Sequence, residues 1–190
     1  MKRLLFTLQN AYFYRHQIKY LLGKKKHKIT KITRLNPAIL RKCSIRYLAI
    51  DFDGVLVTQG QSLPNNEIKQ WLINFSRKFD NRNIFILSNK LTPERIEYFN
   101  KYFPSIRCVS RVRKKPYPDG LLNIQKIVNC KKKPYVLALI DDRILTGYLA
   151  SILARSFPIL ITSPYKNYKS HPFQETFFGV LRFIEQAFFS

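Results

Sequence analysis

Residues 47–56, Tyr47-Leu48-Ala49-Ile50-Asp51-Phe52-Asp53-Gly54-Val55-Leu56, carry the reading that decides the fold. Tyr47–Ile50 is a short apolar run of the kind that forms a buried strand, and it ends abruptly on a carboxylate. Asp51 and Asp53, two residues apart, point the same way along an extended segment. Gly54 lets the backbone turn sharply out of the strand. In an open parallel sheet, ligands bind at the carboxyl ends of the strands.

The pattern recurs downstream. Ile84–Leu87, Ile106–Val109, Tyr135–Ile140 and Ile159–Ile161 read as further buried strands, and 64–79, 93–102, 118–129 and 144–155 as the helices between them. Pro64, Pro93 and Pro118 stand at or near helix starts, where a missing N–H costs little. The alternation predicts an α/β fold, a mostly parallel five-stranded sheet with helices on both faces. Residues 173–189 read as an amphipathic helix. Its side bearing Phe173, Phe177, Val180, Leu181, Ile184, Ala187 and Phe188 is expected to pack on the sheet, while Phe178, Phe183 and Phe189 lie off that side, toward a membrane or partner.

Four strand ends deliver polar groups to one edge: Asp51 and Asp53, then Ser88-Asn89, then Lys114-Lys115-Pro116 after a loop, then Asp141-Asp142. Carboxylates gathered this way repel one another unless a cation sits between them, and an oxygen-only site suits Mg²⁺. A carboxylate can itself be a nucleophile and form an aspartyl phosphate. A second can protonate the leaving oxygen and then activate water, while a hydroxyl and a lysine stabilise charge on the phosphoryl oxygens. Each element alone is weak, and Asp141-Asp142 alone reads as a helix cap. The ordered set, each member after a strand, points to phosphoryl transfer.

The set resembles the haloacid dehalogenase (HAD) superfamily: Asp-x-Asp-Gly, then Ser, then Lys, then an acidic pair. The layout is similar to the class IIIA, YqeG-type branch, which includes phosphatidylglycerophosphate phosphatases. Leu35-Asn36-Pro37, Leu87-Ser88-Asn89, Arg113-Lys114-Lys115-Pro116 and Ile140-Asp141-Asp142-Arg143-Ile144-Leu145-Thr146 carry that likeness, over roughly residues 32–190. The resemblance implies a Rossmann-like HAD core, with Asp51 as nucleophile and Asp53 as general acid/base. It implies that Ser88 and Lys115 hold the phosphoryl group, with Asn89 beside them. Mg²⁺ would be bound by Asp51, Asp53 through its backbone carbonyl, and Asp142 or Asp141. Two positions depart from the branch. It commonly reads Gly-Asp at the fourth motif with a second Asp five residues later; here Asp141 stands in the Gly position and Gly147 where the second Asp is expected. The adjacent pair is read as replacing the split one. The branch also often has Asp-x-Asp-Asn, whereas Asp53-Gly54 follows the general superfamily form.

HAD enzymes differ in caps inserted after the first motif or between the second and third. Only 36 residues separate Asp51 from Ser88 and 26 separate Ser88 from Lys115, and predicted helices and strands use most of them. No large cap domain is expected, so the site should be open and its substrate bulky.

With 34 Lys+Arg and 11 Asp+Glu, the net charge is +23. Such a balance predicts attraction to a polyanion. Residues 1–46 hold 13 bases and no acid. A basic N-terminal arm over 1–31 is therefore set apart from a phosphatase domain over 32–190. The arm, a weakly amphipathic helix over 3–22 followed by Lys24–Lys28, reads either as a solvated tether or as an anchor on an anionic membrane surface. Three cysteines (Cys43, Cys108, Cys130) fit a reducing compartment and argue against a zinc ribbon or a secreted disulfide scaffold, and three scattered histidines argue against a histidine-built metal site. No apolar run approaches a membrane span, and no secretory signal is expected. The expected location is cytoplasmic, or peripheral on the inner face of a membrane.

The leading expectation is a Mg²⁺-dependent phosphomonoester hydrolase acting on a bulky or membrane-borne phosphate such as phosphatidylglycerophosphate. One alternative is a phosphatase acting on nucleic-acid ends, although no nucleic-acid module is visible. Another is a non-catalytic polyanion-binding protein on a degenerate HAD scaffold.

Overall fold

The computed structural model describes residues 2–131, 133–169 and 171–189. Among the described residues, six strands form one sheet in the order β1-β6-β5-β2-β3-β4, and every pairing is parallel. They are β1 (Lys28–Ile29), β2 (Tyr47–Ile50), β3 (Ile84–Ile86), β4 (Arg107–Cys108), β5 (Leu137–Asp141) and β6 (Phe157–Ile161). The helices are α1 (Lys2–Phe13), α2 (Arg15–Leu22), α3 (Pro37–Lys42), α4 (Asn66–Lys78), α5 (Pro93–Tyr102), α6 (Asp119–Ile127), α7 (Leu149–Leu153) and α8 (Pro172–Phe189). A π-helical turn, Ile144–Tyr148, leads into α7.

Side-chain alternation along β2 explains the layers. Leu48 and Ile50 join a core with Ile68, Leu72 and Phe75 of α4 and Phe99 of α5. Ala49 faces the other way, into a core with Leu121 and Ile124 of α6 and Ala150 of α7. The architecture matches a Rossmann-like, HAD-type core, with helices on both sheet faces and, among the described residues, no large cap.

The sheet has a sixth strand that the sequence reading lacked. Lys28–Ile29, within the segment expected to be an arm, pairs with Leu160–Ile161 of β6. His27 secures it: the ring is buried, stacks on Phe157 at 4.2 Å, and its Nδ1 lies 2.7 Å from the Pro158 carbonyl oxygen. The preceding segment is two helices meeting at Tyr14 rather than one. Ala11, Ile18 and Leu22 pack into a third core with Ile144, Tyr148 and Phe189. This segment therefore lies against the body rather than hanging from it as a tether.

Most of the side of the last helix expected to pack on the sheet faces outward instead, while Phe183 is exposed as expected. Phe173, Phe177, Val180, Ile184 and Phe188 are exposed, whereas Glu175, Arg182, Glu185 and Phe189 are buried. Polar demand from the loops sets this orientation. Glu175 Oε1 accepts from the backbone N–H groups of Gln59 and Asn167. Glu185 accepts from the Ile144 N–H at 2.7 Å and from Arg143 Nε at 2.7 Å. Arg182 pairs with Asp142. Buried backbone donors and a buried carboxylate left without these partners would each cost several kcal/mol, on the order of what apolar packing would return.

Candidate active site

The carboxyl ends of β2, β3 and β5 and the loop after β4 bring together the groups singled out from the sequence. β2 ends at Ile50, so Asp51 emerges at the sheet edge, its Oδ1 accepting from the Phe52 N–H. β5 ends on Asp141, with Asp142 next. One ligand oxygen from each of Asp51, Asp141 and Asp142 lies within 4.8 Å of the others, and all three residues are buried. Gly54, at φ +81°, passes so close to Asp142 that a Cβ there would fall under 3.0 Å from its carboxylate. Only glycine meets both demands.

Lys115 closes the cluster from the third motif. Its Nζ lies 3.0 Å from Asp51 Oδ1, bonds Asp141 Oδ2, and donates to the Leu87 carbonyl at 3.2 Å. Burial works against this ammonium, but Asp141 and then Asp51 outweigh it and raise its pKa above the ordinary lysine value. Asn89 holds the lysine's backbone, its Oδ1 accepting from the Lys115 N–H at 2.7 Å. Ser88 and Asp51 line one cavity of about 430 Å³ with Asp53 and Asp142. Neither Asp141 nor the buried Lys115 is in that lining, and Lys115 meets the cavity only through its bond to Asp51. Asp141 sits behind, with Oδ1 accepting from the Arg143 N–H and Thr146 Oγ1 and Oδ2 holding Lys115.

The electrostatics favour a further cation. Burial pushes the Asp51 carboxyl well above the usual carboxylate range; Lys115 offsets part of this, and Asp141 and Asp142 add to it. Burial, then the charge of Asp141, pushes Asp142 up to about 6 despite its bond to Arg182. Three carboxylates against Lys115 and Arg182 leave surplus negative charge. The oxygen-only donor set fits a hard divalent cation such as Mg²⁺.

Asp53 is placed differently. Both of its oxygens accept from Arg95 of α5, at 2.8 and 2.9 Å. Arg95 is 2 % exposed, stands over the Phe52 ring at 4.0 Å, and donates to the Gln61 and Lys90 carbonyls at 2.7 and 2.6 Å.

Arg95 was missed by the sequence reading. Its signal was an arginine in the first turn after the Thr92 cap, where the helix dipole disfavours a cation. Arg3 was missed too: from α1 its Nε donates to the Lys115 carbonyl at 2.9 Å, and Phe6 stacks on Tyr117 at 4.4 Å. Arg182 and Glu185 were hidden in a helix read for its apolar side.

Comparison of this chain with family models, with curated proteins and with solved structures finds no match in any of the three. Fold and site therefore define the class on their own terms: a Rossmann-like α/β protein with a buried carboxylate cluster able to coordinate a metal ion.

Proposed function

We propose that the chain is a Mg²⁺-dependent phosphomonoester hydrolase working through an aspartyl phosphate on Asp51, with a bulky or membrane-borne substrate such as a phosphatidylglycerophosphate-like lipid. The observation that carries this reading is the Asp51 carboxylate at the end of β2, bridged by Lys115 to Asp141 and lining one cavity with Ser88, Asp53 and Asp142. The resemblance noted in the sequence supports the lipid; the absence of a cap supports the bulk.

In the first half-reaction an Asp51 oxygen attacks phosphorus, the P–O bond to the leaving group breaks, and Asp53, which carries the proton it took from water in the preceding turnover, gives that proton to the leaving oxygen. In the second, Asp53 takes a proton from water, whose oxygen displaces the Asp51 carboxylate from phosphorus. One Asp53 oxygen must turn from Arg95 toward the cavity for this. Ser88 and Lys115 hold the phosphoryl oxygens. Asp51 and Asp142, which face the cavity, are the carboxylates that would hold Mg²⁺. That ion would neutralise phosphoryl charge. Asp141 acts from behind, keeping Lys115 in place.

A second reading, a polyanion-binding protein without turnover, draws on the engagement of both Asp53 oxygens by Arg95. A screen with Mg²⁺ over lipid, nucleotide, nucleic-acid-end and protein phosphates, with Asp51→Asn as blank, separates the readings. Release from an acidic phospholipid phosphate above the blank supports the proposal. Release only from phosphate-terminated oligonucleotides moves the substrate to nucleic acid, and no release from any class supports the second reading.

A further inference from the structure

α8 is built inside out for a surface helix. Its three charged residues, Glu175, Arg182 and Glu185, are all buried, and its solvent-facing positions carry no charge. Among those positions Phe173 is 89 % and Phe183 73 % exposed, with Phe177, Ile184 and Phe188 also exposed. An uncharged aromatic face of this length is not the usual surface of a soluble protein and marks a binding surface.

The rest of the molecule indicates what covers it. Among the described residues, five of the 11 acids are buried (Asp51, Asp141, Asp142, Glu175, Glu185) against three bases (Arg95, Lys115, Arg182). The surface of the molecule as a whole is thus more basic than the composition. α1 repeats the theme, with Leu4, Leu5, Leu8 and Phe13 exposed on a helix that carries Lys2 and Arg3 and no acid. Both helices reach the mouth of the site, since Arg3 of α1 and Gln174 and Phe178 of α8 line the cavity that holds Asp51. Exposed apolar faces on a molecule whose surface carries a large excess of bases are complementary to one kind of partner, a bilayer with an anionic surface: the side chains enter the acyl boundary and the basic surface meets the headgroups.

We infer that the outward faces of α8 and α1 dock the protein on an anionic lipid surface, bringing the mouth of the Asp51 cavity to the headgroup layer. This concerns the surface and not the chemistry, and it stands whether or not the chain turns over a phosphate.

The test is sedimentation of the full chain with vesicles that contain no phosphomonoester lipid, so that its failure is distinct from failure of the phosphatase reading. Phosphatidylcholine vesicles are compared with phosphatidylcholine–phosphatidylglycerol vesicles, for the wild-type protein and F177E/F183E. Both substituted side chains are exposed, and matched thermal melts confirm the fold. Binding is expected on the mixed vesicles, weaker on the neutral ones, and reduced about tenfold or more in the variant. Equal binding by variant and wild type, or no binding by the wild type, overturns the inference. So does a lipid-free wild-type dimer that F177E/F183E dissociates, which would assign the face to a second copy of the chain.

Discussion

Gly147 and Asp141 are packed so closely that a Cβ on Gly147 would lie less than 3.0 Å from the Asp141 carboxylate. The two positions are therefore complementary in volume. In the pattern that the fourth motif resembles, glycine and aspartate stand the other way round. The space a side chain at 147 would occupy is filled here by the one at 141, which gives a physical account of the adjacent acidic pair. Gly147→Ala is expected to lower stability by about 1–3 kcal/mol through overpacking. The exchange Asp141→Gly with Gly147→Asp is expected to lose less than the sum of its single changes, because each relieves the other. Thermal or denaturant unfolding of the three variants measures the coupling; strict additivity would refute it.

Buried Arg95 holds half-buried Asp53 through a bidentate pair at the cavity wall, and breaking it from one side leaves the Asp53 charge to the cavity solvent alone. Arg95→Met is expected to cost about 1–3 kcal/mol of stability, less than a fully buried pair would, because Asp53 keeps access to the cavity. Arg95→Lys keeps the charge but loses the fork, so its cost should be smaller and its effect on turnover larger than its effect on folding. Unfolding curves beside kcat for the lysine variant check this. A lysine variant with unchanged turnover would show that the fork does not position Asp53.

Mg²⁺ should stabilise the protein in a pH-dependent way. Asp142 is raised to about 6 and Asp51 well above its usual range, both first by burial. A carboxyl raised in the folded state takes up a proton more readily there than when unfolded. The metal-free protein therefore gains stability from these groups as pH falls through about 6, and loses it as pH rises. Mg²⁺ competes with those protons, so the rise in Tm that it causes should be greatest above pH ~7 and shrink through pH ~6. Asp142→Asn should abolish that rise, while Asp141→Asn should mainly lower the metal-free Tm by freeing Lys115 from one partner. A rise in Tm that survives in Asp142→Asn would place the ion elsewhere.

Local signals made the core of the site legible. Apolar runs that end on Asp51, Ser88 and Asp141 name their own strand ends, because a strand buried on both faces is a continuous apolar stretch. The strand Lys28–Ile29 escaped because two residues inside a basic run carry no period. The orientation of α8 escaped for a different reason. Periodicity shows that a helix has an apolar and a polar side, but which side turns inward depends on what the body needs, and here the Ile144 N–H, Arg143 and Asp142 needed Glu185 and Arg182. Arg95 and Arg3 act across long sequence separations, on Asp53 and on the Lys115 carbonyl, and no local pattern links such pairs.

The central claim is that phosphate passes through the Asp51 side chain. Acid-quenched wild-type protein, taken during turnover of a phosphomonoester with Mg²⁺ and digested for mass spectrometry, measures this most directly. The account predicts the added mass of one phosphoryl group on the peptide containing Asp51, absent in Asp51→Asn and absent when Mg²⁺ is chelated. Phosphate release at the wild-type rate by Asp51→Asn, with no phosphoryl group on that peptide in either protein, would contradict it.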